Sequence, residues 1–303
     1  MTNEKRSWIL LILLSLIWGS SFILMKKSMV PVGDETVMGP YQVGSLRIFF
    51  AGLVLMPIAL RHLKYLKTEV FWWLLLVGTA GNLIPALLFT LAETKINSSL
   101  AGVLNMGTSF FVVLIGVVIY KSKPSRAQLA GLIMGAFGLY QILKVQLDFE
   151  SGTLLYASFV LVATFCYGVG LTTIKFKLNT VSPVVITSLS FFIITFPALA
   201  IGLYTDAFTP IMNHPDGLTS LGYLIVLSVL GTAFAVFIFT KLVSISSHIF
   251  ATGVTYLIPV VAVFIGQFTG EKFDLYNLIW VAVILIGVYL MNKKRASVAN
   301  KTV

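Results

Sequence analysis

The chain has 303 residues, 58% hydrophobic and only 11% charged, with a mean hydropathy of +0.97 and a formal net charge of +10. That much apolar surface at this length excludes an ordinary soluble globule and requires lipid as the main solvent. The single Cys166 excludes an internal disulfide and a cysteine metal framework, and reads as a packing residue.

Ten apolar spans follow in chain order, at 8–26, 41–60, 70–92, 98–120, 126–144, 153–174, 182–204, 219–240, 247–269 and 275–292. Each is close to the roughly 20 residues that a helix needs to cross hydrocarbon, and none alternates as a barrel strand would. The first begins like a signal peptide, with Lys5-Arg6, an apolar run from Trp8 to Ile17 and Gly19-Ser20-Ser21. Apolarity resumes at Phe22, and a similar segment recurs in mid-chain, so the first span is expected to be a retained helix. The connections are short and polar, as at Lys121–Ser125, and the longest in the second half, Tyr204 to Leu218, is too short to be a domain.

The chain repeats itself at an offset of about 150 residues. Trp18-Gly19 with Lys26 recurs as Tyr167-Gly168 with Lys175, Phe89-Thr90 with Gly116 as Phe239-Thr240 with Gly266, and Gly138-Leu139-Tyr140 as Gly287-Val288-Tyr289. Five spans per half is an odd number, so the second copy enters from the opposite face and the repeat is inverted. The expected fold class is an all-α integral membrane protein of ten transmembrane helices, arranged as two inverted five-helix repeats, 1–145 and 146–303. Basic residues gather on one side, at Lys5, Arg6, Arg61, Lys64, Lys67, Lys121, Lys123, Arg126, Lys175, Lys177, Lys241, Lys293, Lys294, Arg295 and Lys301. Only Lys26, Lys27, Lys95, Lys144 and Lys272 face them, which predicts both termini in the cytoplasm and a multi-pass protein of the inner (plasma) membrane. The positive charge reflects this topology, and no nucleic-acid partner is needed to explain it.

Several of these residues carry a family resemblance. Trp18-Gly-Ser-Ser-Phe22 with Lys26, then Ser45-Leu-Arg-Ile-Phe-Phe-Ala51, resemble the opening of an EamA-type domain of the drug/metabolite transporter superfamily. Tyr256-Leu-Ile-Pro259 leading to Gly270-Glu271 is similar to the pattern late in the second such domain. The resemblance covers nearly the whole chain. It implies ten helices and a secondary transporter, an exporter of small metabolites such as amino acids, with a cavity between the halves lined by the first, third, fourth, sixth, eighth and ninth helices. Two departures bear on the gates: the first repeat has Ser109 where Pro259 stands in the second, and Lys121 near the position of Glu271.

Polar groups inside spans need a partner or a wet cavity. The expected substrate-cavity residues are Trp18, Ser21, Asn82, Asn105, Tyr167, Thr232, Thr255 and Tyr256. Asn82 and Asn105 could equally bind substrate or join helices, at about 1 kcal/mol. Arg47, the charged residue well inside a span, could attract an anionic or zwitterionic substrate, but a structural role is preferred, either snorkelling outward or pairing with neighbouring carbonyls to pin helices. Pro85 and Pro259 free the carbonyls of Gly81 and Thr255, by a packing kink or for a ligand. Lys26 and Lys175 suit helix C-termini without a transport role.

Enzyme readings fare badly. His62, His214 and His248 are scattered, no metal site is expected, and no phosphate-binding loop exists for ATP. No cofactor is expected. The expected partners are a small-molecule substrate and the lipid bilayer. A homodimer contact is possible at Gly131-x-x-x-Gly135, but an intramolecular contact and a monomer are preferred. The alternative function is a non-transporting membrane receptor or scaffold. Glu93, Asp206 and Glu271 fall at span ends, which leaves facilitated diffusion or coupling through an edge carboxylate.

Overall fold

A continuous helix crosses hydrocarbon with its backbone donors and acceptors satisfied within the segment, and this chain uses it throughout. The computed structural model describes residues 3–67, 69–147, 152–245, 254–271 and 276–292, and no strand occurs among them. The helices are α1 (Asn3–Met29), α2 (Pro40–Leu60), α3 (Val70–Gly78), α4 (Ile84–Ala92), α5 (Ser98–Leu104), α6 (Gly107–Val118) and α7 (Arg126–Leu147). The second half supplies α8 (Thr153–Lys177), α9 (Pro183–Tyr204), α10 (Thr209–Asn213), α11 (Gly217–Ser228), α12 (Ala235–Ile245), α13 (Val254–Phe268) and α14 (Asn277–Asn292).

Among the described residues, seven stretches are long and apolar enough to cross a membrane: α1, α2, Val70–Ala92, Ser98–Val118, α8, α9 and Gly217–Leu242. Leu257–Phe268 and Asn277–Leu290 are shorter apolar helices. The chain is therefore an all-α, multi-pass membrane protein. Helix stands at each of the ten expected positions, although 247–253 of the ninth, with His248, lies outside the described residues. Large apolar side chains such as Trp72, Ile133, Leu218 and Phe264 are exposed, as a lipid-facing surface requires.

Two of the long stretches are not regular. A π-helical turn, Thr79–Leu83, joins α3 to α4, and another, Val229–Phe234, joins α11 to α12. They occupy equivalent places in the two halves. Pro85 follows the first turn, but Ala235 stands at that place in the second, so proline is not what both share. Such bulges widen a helix locally and often mark functional positions.

The halves grip one another reciprocally. A methyl added to Gly19 on α1 would lie 2.6 Å from Cβ of Val261 on α13, and one added to Gly168 on α8 would lie 2.9 Å from Cβ of Phe111 on α6. Gly168 is the repeat mate of Gly19, and Phe111 that of Val261. The same exchange recurs where Gly170 faces Gly81 and Ser21 faces Gly231. The α2 and α9 helices pack together through Gly52 against Thr195 and Gly202 against Ser45, while α7 and α14 pack through Gly138 against Ile284 and Gly287 against Gly135. Gly131 and Gly135 thus face α14, within the chain. Small residues allow this close approach where lipid leaves no hydrophobic drive between helices. One large core spans both halves, from Leu14 and Phe22 through Phe89 and Phe110 to Ala157, Ile258 and Ile284.

Gly19→Leu is expected to drive a side chain into Val261 and the Ile258 carbonyl, an overpacking cost of about 1–3 kcal/mol or more. Folded yield and thermal stability in detergent should fall well below those of Gly222→Leu, where nothing lies within 4 Å. Equal loss in both variants would contradict the packing.

Candidate functional site

The junction of the two halves collects aromatic and polar groups. Trp18 packs on Phe239 at a ring separation of 5.8 Å, and its repeat mate Tyr167 packs on Phe89, the mate of Phe239, at 5.9 Å. Phe22 extends the second pair, 5.8 Å from Phe89. Each such contact adds about 0.5–1.5 kcal/mol beyond burial. The Trp18 indole Nε1 donates to the carbonyl of Gly231, at 3.1 Å, inside the second π turn. Beside it Thr232 carries a buried hydroxyl with no hydrogen-bond partner. Ser21, buried near Gly231, donates to its own helix at the carbonyl of Ile17, at 2.9 Å.

Other expected residues are placed differently. The Asn82 amide donates to the carbonyl of Val77, at 3.0 Å, and so supports the first π turn from within its own helix. Asn105 caps α5 at the break before α6 and is partly buried. Thr255 is exposed near the start of α13, and the side chain of Tyr256 lies outside the described residues. The structure thus brings together Trp18, Ser21 and Thr232 on one side and Tyr167 with Arg47 on the other.

Arg47, on α2, is partly buried. Its Nη1 donates to the thioether of Met25, at 3.3 Å, and its buried Nε has no hydrogen-bond partner. Among the described residues no carbonyl accepts from it. Its electrostatic neighbours are Tyr167 and Glu93. A thioether is a weak acceptor, which leaves the guanidinium charge-rich and poorly satisfied.

Glu93 and Glu271 both read as edge carboxylates in the sequence, and the structure treats them oppositely. Glu93 lies one residue beyond the Val70–Ala92 stretch, yet is only 2% exposed, and both carboxyl oxygens are buried without a partner. Burial, reinforced by the charge of Glu271, lifts its carboxyl well above the ordinary glutamate value, against the pull of Lys26 and Arg47.

Glu271, in the connection after α13, is fully satisfied. Its Oε1 accepts from Lys26 Nζ at 3.2 Å and from the Ser98 amide at 2.9 Å. Its Oε2 accepts from the Ser99 amide at 3.0 Å and the Ser99 hydroxyl at 2.9 Å. Burial alone would raise this carboxyl, but the two amides, Lys26 and the hydroxyl hold it below the ordinary glutamate value. The result is a polar lock joining the ends of α1 and α13 to the start of α5. At the repeat-equivalent end, Lys121 stands in place of the acid. There Tyr120 stacks on Phe176 with ring centroids 4.1 Å apart and an interplanar angle of 12°. One end is held by charge, the other by a ring stack.

Because Glu271 has a lowered value in the fold, the lock contributes stability at neutral pH, and that contribution disappears as pH falls through the folded value. Glu271→Gln should therefore lower the melting temperature at pH 7, and the gap to the unaltered protein should close toward acid pH. A gap that persists unchanged at acid pH would show that the carboxylate is not the source.

Comparison with known proteins accords with this architecture. The chain matches the EamA-like transporter family over residues 6–144 and 154–293. An uncharacterized transporter of Synechocystis sp. is 27% identical over 314 residues, covering 97% of this chain and 92% of that protein. A protein crystal structure superposes with a TM-score of 0.57 at 15% identity, over 94% of this chain and 96% of its own, a likeness of fold alone. These matches point to a transporter of the drug/metabolite type and away from an enzyme. The chain belongs to the EamA-like transporter family.

Proposed function

We propose that this chain is a secondary exporter of small metabolites such as amino acids, working by alternating access around a cavity between two inverted five-helix repeats. The observation that carries the reading is the reciprocal packing of α1 on α13 and α8 on α6, with the ring pairs Trp18–Phe239 and Tyr167–Phe89 between them. Two halves that hold each other through equivalent contacts can rock between two arrangements of similar energy.

The repeats correspond to 1–145 and 146–303, and ten crossings place both termini in the cytoplasm under the positive-inside bias, in the inner membrane. The working unit is the monomer. Trp18, Ser21, Tyr167 and Thr232 line the cavity, with Asn82, Asn105, Thr255 and Tyr256 completing its wall and Arg47 facing its polar side. Aromatic faces with a few hydroxyls and amides suit a partly apolar small molecule better than a bare ion.

The test is exchange of a radiolabelled mixture of L-amino acids in proteoliposomes containing the purified chain. Uptake into preloaded vesicles above protein-free controls is expected, reduced at least about tenfold by Trp18→Ala, which removes a partly buried aromatic anchor. A receptor or scaffold would move nothing. Full uptake with Trp18→Ala would move the cavity elsewhere.

A further inference from the structure

Resting on the reading of this chain as a secondary transporter, we propose that Glu93 is its proton-carrying site, holding a proton in the conformation seen and releasing it when Arg47 comes within reach.

A buried carboxylate without donors is among the costliest groups a fold can hold, and it is avoided by keeping the proton on. Glu93 is in that position: both oxygens are buried and neither has a partner. The charges acting on it are also identified. Arg47 approaches from α2, Lys26 from α1 and Glu271 from the connection after α13. On its own turn Lys95 is exposed. On α8, Tyr167 interacts electrostatically with Arg47. Lys26 is already paired with Glu271 at 3.2 Å, so it acts on Glu93 through space without pairing with it.

Arg47 is the complement. Its Nε is buried and unpaired, and no ion pair within 4.0 Å joins it to Glu93 among the described residues. An acceptor without a donor and a donor without an acceptor therefore sit in one electrostatic neighbourhood, unjoined. Deprotonation resolves both. The Glu93 O–H bond breaks, its proton passes to cavity water, and the electron pair stays on the carboxylate oxygen, which then accepts from Arg47 Nε–H. Such a pairing draws α2 toward the end of α4, and reprotonation releases it. The proton thus has two states of the protein to choose between, which is what coupling to a gradient requires.

Glu271 is unsuited to the role because four donors hold it ionised. Its negative charge nevertheless disfavours ionisation of Glu93. Opening of the polar lock would remove that charge from the neighbourhood and favour proton release on the same side.

Two measurements on the full chain in lipid test the proposal. The infrared spectrum at neutral pH should show the carboxylic-acid C=O band of a buried protonated glutamate, absent in Glu93→Gln and retained in Glu93→Asp. In proteoliposomes with the L-amino acid mixture, a pH gradient of one unit should raise accumulation about tenfold per coupled proton, since one unit is a factor of ten in proton activity. Glu93→Gln should abolish the response to the gradient and Glu93→Asp should keep part of it. A band that is absent, or unchanged in Glu93→Gln, overturns the proposal, as does a gradient response that survives Glu93→Gln. If the unaltered protein moves no amino acid at all, the substrate reading fails and the infrared result alone decides the fate of the proton site.

Discussion

The reciprocal approach of α1 to α13 and of α8 to α6 is the constraint on which the rest of the structure depends. Gly19 and Gly168 admit Val261 and Phe111 where any larger residue would collide. Once those backbones are close, Trp18 and Tyr167 must lie against Phe239 and Phe89, and the π turns must face the helices of the opposite half. The polar groups gather at this junction because lipid would leave them unsatisfied elsewhere. Function grows from the same requirement that builds the fold.

Equivalent scaffolds end in unequal chemistry. Lys26 and Glu271 lock one end with charge-assisted hydrogen bonds, while Tyr120 and Phe176 hold the other by stacking. The energetics differ in kind, since the first depends on ionisation and the second on apolar contact alone. The two ends therefore respond to different conditions, even though the halves are built alike.

The spans were legible because lipid imposes a simple rule of length and apolarity. The repeat was legible from its glycines and aromatics, which recur because they make the same contacts twice. The π turns were not, since only one of them is followed by a proline and nothing in Val229–Phe234 marks the bulge. Trp18 and Tyr167 could be picked out as equivalent, but the amide of Asn82 turned inward to its own helix for a reason visible only in the geometry of its turn. Lys26 was readable as a helix-end cation, and its partner lies 245 residues away. Glu93 was read as an edge residue because edges are usually wet, and tertiary packing buried it instead.

The central claim is that the Lys26–Glu271 lock closes one end of a structure able to open there. The most direct measurement is the distance distribution between spin labels at Lys95 and Thr269, both exposed near that end, in lipid nanodiscs. The account predicts a dominant short distance with Glu271 intact and an added longer population in Glu271→Gln. An identical distribution in the two proteins would contradict it.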